Sequence, residues 1–416
     1  MGRMKIAIML RKWSWRKPRG DLTFRRFKYS KSHVQDDDVA MSSSRLRVGV
    51  LGLGAIGTIF FTRLGLLATN LKGTTKFPKL TVDAFIRPKR FENWVQSQTF
   101  QLNILQGQKK ETLHFCIAPS NKLATVWNAP HVRIRTLTSH DNQTSDKVDV
   151  LLVAVKAYDS TNVVQELWET KRHMLQNDAI CILLQNGLGH EVPENSKNLE
   201  MSWQFLNGVT FIGGRMINFG SVETSGLETG MTFLAPMTQV HCHDIETCKR
   251  MKRINVVAQI FQAAGLRCEV LETSAMQGMQ WRKLIINAAI NPLASLLNAP
   301  NSSVISSQSS RDCIKMVVEE AIAVAQSEKI VLGCSQDELL HEVVEVANNT
   351  GTNICSMLAD LRRGSRTEID AITGRLVQGG ERYGIATPVN RFLLLLIQAL
   401  EKEGLRRNDS TTSVSK

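Results

Sequence analysis

The sequence predicts an α/β domain with a doubly wound parallel sheet, followed by an all-helical domain. Three observations carry this reading. A glycine-rich turn separates a short β-rich run from an apolar helix near the start of the ordered chain. Near-continuous apolar runs then recur with helical stretches between them, as in parallel strands buried on both faces. After about Val270 the strand signal fades and helical patterns take over. At 416 residues the chain exceeds one compact core and suits two domains. With 43% hydrophobic and 21% charged residues, its composition is that of an ordinary globular protein.

Residues 1–44 form a basic leader, expected to be disordered and set apart from the fold. The formal charge is +13, and the first 40 residues hold six Arg and five Lys against four Asp. More than half of the excess therefore sits on this arm. The body shows no interleaving of aromatic and basic residues of the kind that grips single strands, so no nucleic-acid partner is expected. Arg-rich, acid-poor leaders also serve as mitochondrial transit peptides. The expected location is the cytoplasm, with mitochondrial import as the alternative. Met41 offers a second start in the cytosolic case.

Ordered structure is expected from Leu46, where L-R-V-G-V-L reads as a strand. The segment Gly52-Leu53-Gly54-Ala55-Ile56-Gly57 follows, and an apolar helix runs to Leu67. In G-x-G-x-x-G the first glycine permits the tight turn, the second lets a pyrophosphate approach the backbone, and the third lets helix pack on strand. The helix N-terminus supplies free N–H groups and partial positive charge. This strand–turn–helix context makes the domain Rossmann-like and excludes a P-loop, since no Gly-Lys-Ser/Thr closes the segment.

Further strands are expected at Leu80 to Ile86, Val148 to Val155 and Ala179 to Leu184. The second of the two leading strands ends in Phe85-Ile86-Arg87-Pro88-Lys89-Arg90, where NAD enzymes usually carry an acidic residue for the ribose hydroxyls. Asp83 lies inside the strand and is badly placed for that role. Arg87 suits a 2′-phosphate, which favours NADPH, unless the segment is simply a solvated basic loop. Lys156 and Asn186 each follow a buried strand, at the edge where ligands bind in open α/β sheets.

The helical domain is expected over residues 272–405, after a dinucleotide-binding domain at 45–271, with Pro292, Pro300 and Pro388 punctuating its helices. The polar tail 406–416 is expected to be disordered. The run Phe392 to Leu400 is far short of the roughly 20 residues that cross a bilayer, so no membrane partner is expected. Within W-R-K-L-I-I-N-A-A-I-N-P-L, Lys283, Asn287 and Asn291 recur every four residues. They drift only about 80° around a helix of 3.6 residues per turn, so a cation and two amides share a ridge between apolar residues. Either the lysine snorkels to solvent, or a ligand completes the polar set. Asn353 and Ser356, read as i, i+3 on one helix, and Glu368-Ile369-Asp370 add a second polar cluster.

Eight cysteines lie scattered without a C-x-x-C pair, which suits reduced thiols. His241-Cys242-His243 has no matching second cluster, and His341-Glu342 lacks a partner histidine, so no metal is expected.

Taken in order, L-G-L-G-A-I-G-T, V-K-A at Lys156, Q-N-G at Asn186, W-R-K-L-I-I-N-A-A-I-N-P-L at Lys283, N-A-P-N ending at Asn301, and R-T-E-I-D at Glu368 resemble the ketopantoate reductase family from about Leu46 to Leu400. The resemblance implies a Rossmann domain joined to a helical domain of the 6-phosphogluconate dehydrogenase C-terminal type, with substrate between them. It implies NADPH-dependent reduction of a small 2-keto acid, 2-dehydropantoate, for coenzyme A synthesis. Lys283 would be the general acid and Glu368 its catalytic partner. Asn287, Asn291, Asn301 and Ser356 would bind substrate, with Asn186 shared between substrate and cofactor. Gly52 to Gly57, Arg87, Lys156 and Asn186 would hold NADPH. Two other readings stay open, a reductase of another branched 2-keto acid and a non-catalytic NADPH-binding sensor. A homodimer is left open as the assembly.

Overall fold

The computed structural model describes residues 45–70, 79–97, 101–117, 123–126, 129–136, 147–188, 204–237 and 245–413. The basic leader and His241-Cys242-His243 lie outside the described residues. The first half of the chain runs β1 (Arg45–Leu51), α1 (Ala55–Asn70), β2 (Lys79–Ile86), α2 (Pro88–Gln96), β3 (Gln101–Gln106), β4 (Lys109–Ile117), β5 (Leu123–Val126), β6 (Ala129–Thr136), β7 (Val148–Val153), α3 (Ala157–Glu169) and β8 (Leu175–Leu183). There follow β9 (Gln204–Thr210), β10 (Gly213–Asn218), β11 (Ser221–Ser225), β12 (Met231–Pro236), α4 (Ile245–Ala263) and β13 (Arg267–Val270).

All these strands join one sheet in the order β10-β11-β3-β4-β5-β6-β2-β1-β7-β8-β9-β12-β13. Its centre, β6-β2-β1-β7-β8-β9, is parallel throughout. The Val, Ile and Leu residues of β1, β2, β7 and β8 are almost wholly buried, as a sheet covered on both faces requires. Beyond the centre the sheet becomes antiparallel, through β3 to β6 on one side and β9 with β12 on the other. The strands β3, β4, β10 and β11 also pack against α1, in addition to β1, β2 and β6. Helix α1 is thus enclosed: Ile59, Phe60, Phe61 and Leu64 have no exposed surface, which explains its lack of a polar face.

Register decides where the site forms. Leu51 pairs with Phe85 on one side and Val153 on the other, and Val153 pairs with Leu183. The carboxyl ends of β1, β2, β7 and β8 therefore finish level, and Gly52, Arg87, Lys156 and Asn186 leave the same edge.

The second half is helical: α5 (Thr273–Leu296), α6 (Gln308–Ser327), α7 (Gln336–Asn349), α8 (Ser356–Arg362), a π-helical turn (Asp370–Gly374) running into α9 (Arg375–Tyr383), and α10 (Pro388–Ser413). Helix α5 is the axis, with Leu284, Ile285, Ala288 and Ala289 buried against α6, α8 and α10. Ser335 and Glu338 make a reciprocal capping box at the start of α7. The N-terminal end of α5 docks on the sheet, where Met276 and Met279 pack with Val209, Phe233 and Ala235.

Three expectations need correction. Pro292 does not end its helix. It lies inside α5, which continues to Leu296 because packing on both sides of the proline outweighs the lost hydrogen bond. Asn353 is not helical: it precedes α8, whose N-cap is Cys355. The tail expected to be disordered from 406 instead extends α10 as far as Ser413. Propagating a helix already nucleated by a packed segment fixes only one more residue per hydrogen bond. Among the described residues, no helix is long and apolar enough to cross a membrane.

Candidate active site

A cavity of about 620 Å³ opens along the level strand ends, within the range of small-molecule sites. Gly52, Leu53, Gly54, Ala55 and Ile56 line it, with Arg87, Arg90, Lys156, Tyr158, Asn186, Ser356 and Glu368. The glycine turn is built for close approach. Gly52 has φ +93°, in the left-handed region that favours glycine. A Cβ on Gly57 would lie 1.9 Å from the Gly52 carbonyl oxygen, so only glycine lets helix α1 start so close to the strand. Gly54 has no neighbour nearer than 3.8 Å to such a Cβ, which leaves its cavity side open. This cradle and the amides at the start of α1 fit a dinucleotide pyrophosphate.

Asp83 is fully buried in β2 and accepts two hydrogen bonds from Arg133, at 2.5 and 2.6 Å, so it is spent on the sheet. The residue after β2 is Arg87, which N-caps α2 ahead of Pro88. Its exposed guanidinium reaches across the cavity rim to Asp159, at 3.1 Å. Arg90 donates to the Leu53 carbonyl at 3.0 Å and lies 4.9 Å from the Phe219 ring centroid. Burial and the neighbouring Arg87 charge lower its pKa. No carboxylate ends β2.

At the other end of the cavity the two domains meet through a chain of polar contacts. Lys283 Nζ donates to Asn186 Oδ1 at 3.0 Å and to the Thr210 carbonyl at 2.8 Å. Asn186 Nδ2 donates to Glu368 Oε2 at 3.1 Å, and the Ala157 amide donates to Glu368 Oε1 at 3.0 Å. Lys156 Nζ lies 3.6 Å from Glu368 Oε2 and 2.6 Å from Asp360 Oδ2. Asn186 is thus the link between the ammonium at 283 and the carboxylate at 368. Its turn is held by Gly187, whose φ is +86° and whose Cβ, if present, would meet the Ala371 carbonyl at 2.4 Å. Ala371 lies in the π-helical turn just after Glu368, an element often found beside functional groups.

The electrostatics differ between the two lysines. Burial pushes Lys283 down from 10.5 to about 8, against the opposing pull of Glu368. For Lys156 burial also lowers the pKa, but Glu368 and Asp360 outweigh it and the net direction is up. Lys283 therefore sits where a proton can leave near neutral pH, whereas Lys156 holds its charge.

Of the residues singled out from sequence, the structure brings Lys283, Asn186, Glu368, Lys156 and Ser356 to one locus. Lys283, Asn287 and Asn291 share a ridge on α5, and neither they nor Asn301 line the cavity; Lys283 reaches it through Asn186, which does. Asn301 donates to Thr350 Oγ1 at 2.9 Å, and its amide donates to the Asn353 carbonyl at 3.0 Å. Its side-chain oxygen is buried without a partner, as an acceptor awaiting a ligand donor would be. The sequence reading missed Asp360, which is 3% exposed on α8, four residues after Ser356 and so near its face. That spacing was the available signal. Among the described residues no cluster of potential metal ligands is present, and His341 pairs with Glu345 on a solvent-facing turn of α7.

A nucleotide cradle facing a proton-bearing lysine across a domain junction is the arrangement of a two-domain nicotinamide-dependent oxidoreductase. Residues 48–238 match the model of ketopantoate reductase PanE/ApbA, and residues 275–401 match the model of its C-terminal part. The chain belongs to the ketopantoate reductase family. The 2-dehydropantoate 2-reductase of Archaeoglobus fulgidus is 31% identical over 256 residues, covering 62% of this chain and 78% of that one. The Vibrio cholerae enzyme of the same name is 31% identical over 268 residues, covering 64% and 82%. In overall fold the chain is similar to the 2-dehydropantoate 2-reductase of Geobacter metallireducens, with TM-score 0.64 and 22% identity over 85% of this chain and 99% of that one. A D-mandelate dehydrogenase solved with NADH and anilino(oxo)acetate gives TM-score 0.64 at 20% identity over 86% and 99%.

Proposed function

We propose that this chain reduces 2-dehydropantoate to pantoate with NADPH as the hydride source, and that Lys283 is its general acid. The observation that carries the reading is the hydrogen-bonded line from Lys283 through Asn186 to Glu368, set at the end of a glycine-cradled cavity. Names of relatives covered over most of their length support the substrate.

The residues present fit the cofactor. The Gly52 to Gly57 turn would hold its pyrophosphate, and Arg87, with Arg90 beside it, would hold the 2′-phosphate. Lys156, at the junction end of the cavity, would lie beside the nicotinamide half. When bound, the nicotinamide supplies the hydride. The chain's own residues do the rest. Lys283 Nζ offers its proton to the substrate's carbonyl oxygen as negative charge develops there, and its positive charge stabilises that oxygen beforehand. Asn186 and the Thr210 carbonyl fix the ammonium's direction. Glu368 is 5% exposed and held by two N–H donors, so it presents a fixed acceptor for a substrate hydroxyl. Ser356, which lines the cavity, would hold a further substrate oxygen and orient the carbonyl carbon. Asn287, Asn291 and Asn301 lie outside the cavity lining and keep only the role that the family resemblance implies.

The test is NADPH oxidation with 2-dehydropantoate and, separately, 2-ketoisovalerate. A site built around the distal hydroxyl strongly prefers the first. Equal turnover of both acids overturns the substrate assignment, and turnover of neither overturns the function.

A further inference from the structure

Asp360 takes no part in the chemistry derived above, yet it is among the most buried charged groups at the domain junction, at 3% exposure. Its Oδ2 accepts from Lys156 Nζ at 2.6 Å, and its Oδ1 accepts from Arg363 at 2.5 Å. Lys156 belongs to the loop after β7 and Asp360 to α8, so this ion pair crosses between the two domains. The neighbouring contacts cross as well. The Ala157 amide binds Glu368, and the Arg366 guanidinium lies 4.7 Å from the Tyr158 ring centroid.

We propose that Asp360 is a positioning residue that governs Glu368 through Lys156. This rests on the functional reading above. Lys156 faces two carboxylates and sits closer to Asp360 than to Glu368, at 2.6 against 3.6 Å. Asp360 thereby draws the ammonium away from Glu368 Oε2. That oxygen is left for Asn186 Nδ2, and Asn186 Oδ1 is what orients Lys283. Without the charge at 360, Lys156 would have Glu368 as its nearest carboxylate. It would close on Oε2, compete with Asn186, and loosen the hold on Lys283. A carboxylate one helical turn from Ser356 thus keeps a distant proton donor aimed.

The role is distinguished from simple packing by a sign reversal. Asp360→Asn keeps size and shape and removes charge. In the otherwise unchanged enzyme, kcat for 2-dehydropantoate should fall about 10- to 100-fold, the scale of loss that a misplacement of reacting groups by about 1 Å causes, while KM for NADPH moves by less than about threefold. In the Lys156→Met background the same change should leave kcat unchanged or raise it, because two buried carboxylates have lost their shared cation and one of them is now neutral. Asp360→Asn lowering kcat by the same factor in both backgrounds, or having no effect in the unchanged enzyme, overturns the proposal. Should Asp360→Asn alone fail to fold, comparing Lys156→Met with the double variant still decides, since a slower double variant overturns it. Inactivity of the unchanged enzyme on 2-dehydropantoate would sink the functional reading, and this inference with it. Normal activity with additive variants would sink this inference alone.

Discussion

Replacing Lys283 by Met should abolish most catalysis while changing stability in a way that depends on pH. Each tenfold change in a protonation equilibrium is worth about 1.4 kcal/mol. The fall from 10.5 to about 8 therefore means that keeping the proton on Lys283 costs the folded state about 3 kcal/mol. Solvent still reaches this half-buried side chain, which reduces the figure to about 2 kcal/mol. Methionine removes that cost but leaves Asn186 Oδ1 and the Thr210 carbonyl without their donor, at about 1 kcal/mol each. The two effects nearly cancel at pH 7. The sign with pH follows from the lowered value: between about 8 and 10.5 the folded enzyme releases this proton while the unfolded chain keeps it, so wild-type stability rises across that window. The variant gains nothing there. Melting temperatures should be similar at pH 7, with the variant falling a few degrees below wild type near pH 10. Turnover should drop about 1000-fold throughout. A constant stability difference at both pH values, or turnover within tenfold of wild type, would refute the assignment of the buried proton to Lys283.

Wild-type kcat should decline as pH rises through about 8, and Glu368→Gln, which removes the charge that raises Lys283, should move that decline to lower pH in a pH–rate profile. Arg87→Ala should weaken 2′,5′-ADP binding by about tenfold and leave 5′-AMP unchanged, measured by calorimetry, because losing one exposed phosphate contact costs about 1.4 kcal/mol. Gly57→Ala should abolish dinucleotide binding and lower the melting temperature, since its methyl group would collide with the Gly52 carbonyl at 1.9 Å and backbone must move.

Four strands of the parallel centre, β1, β2, β7 and β8, were legible because each is a run of apolar residues ending in a turn, and Gly52, Arg87, Lys156 and Asn186 followed from those ends; β6 and β9, with polar residues along them, were not. The antiparallel strands β3, β4, β10 and β11 were not. Sequences such as Gln101–Gln106 and Gly213–Asn218 have no clear apolar run or alternation, and they pack on α1, a partner that no local pattern discloses. The ridge of Lys283, Asn287 and Asn291 was readable from helical spacing alone, and the role expected of Glu368 came from resemblance. Asn186 as the bridge between Lys283 and Glu368 could not be read, because the three residues come from distant parts of the chain and meet only when the domains dock. Asp360 was hidden for the same reason. In sequence it is the one acid of α8, four residues after Ser356, and its burial against Lys156, which sets it apart from other acids of the chain, appears only in the fold.

The enclosure of α1 constrains how the enzyme opens. A helix whose central apolar side chains are wholly buried among strands and a neighbouring helix exchanges its amide protons only through near-global unfolding, so the platform beneath the phosphates behaves as an immobile anvil. Entry and exit must come from the opposite wall, the α8 and π-turn shoulder that carries Asp360 and Glu368. Turnover-linked breathing should register in deuterium uptake on that shoulder and leave the anvil silent.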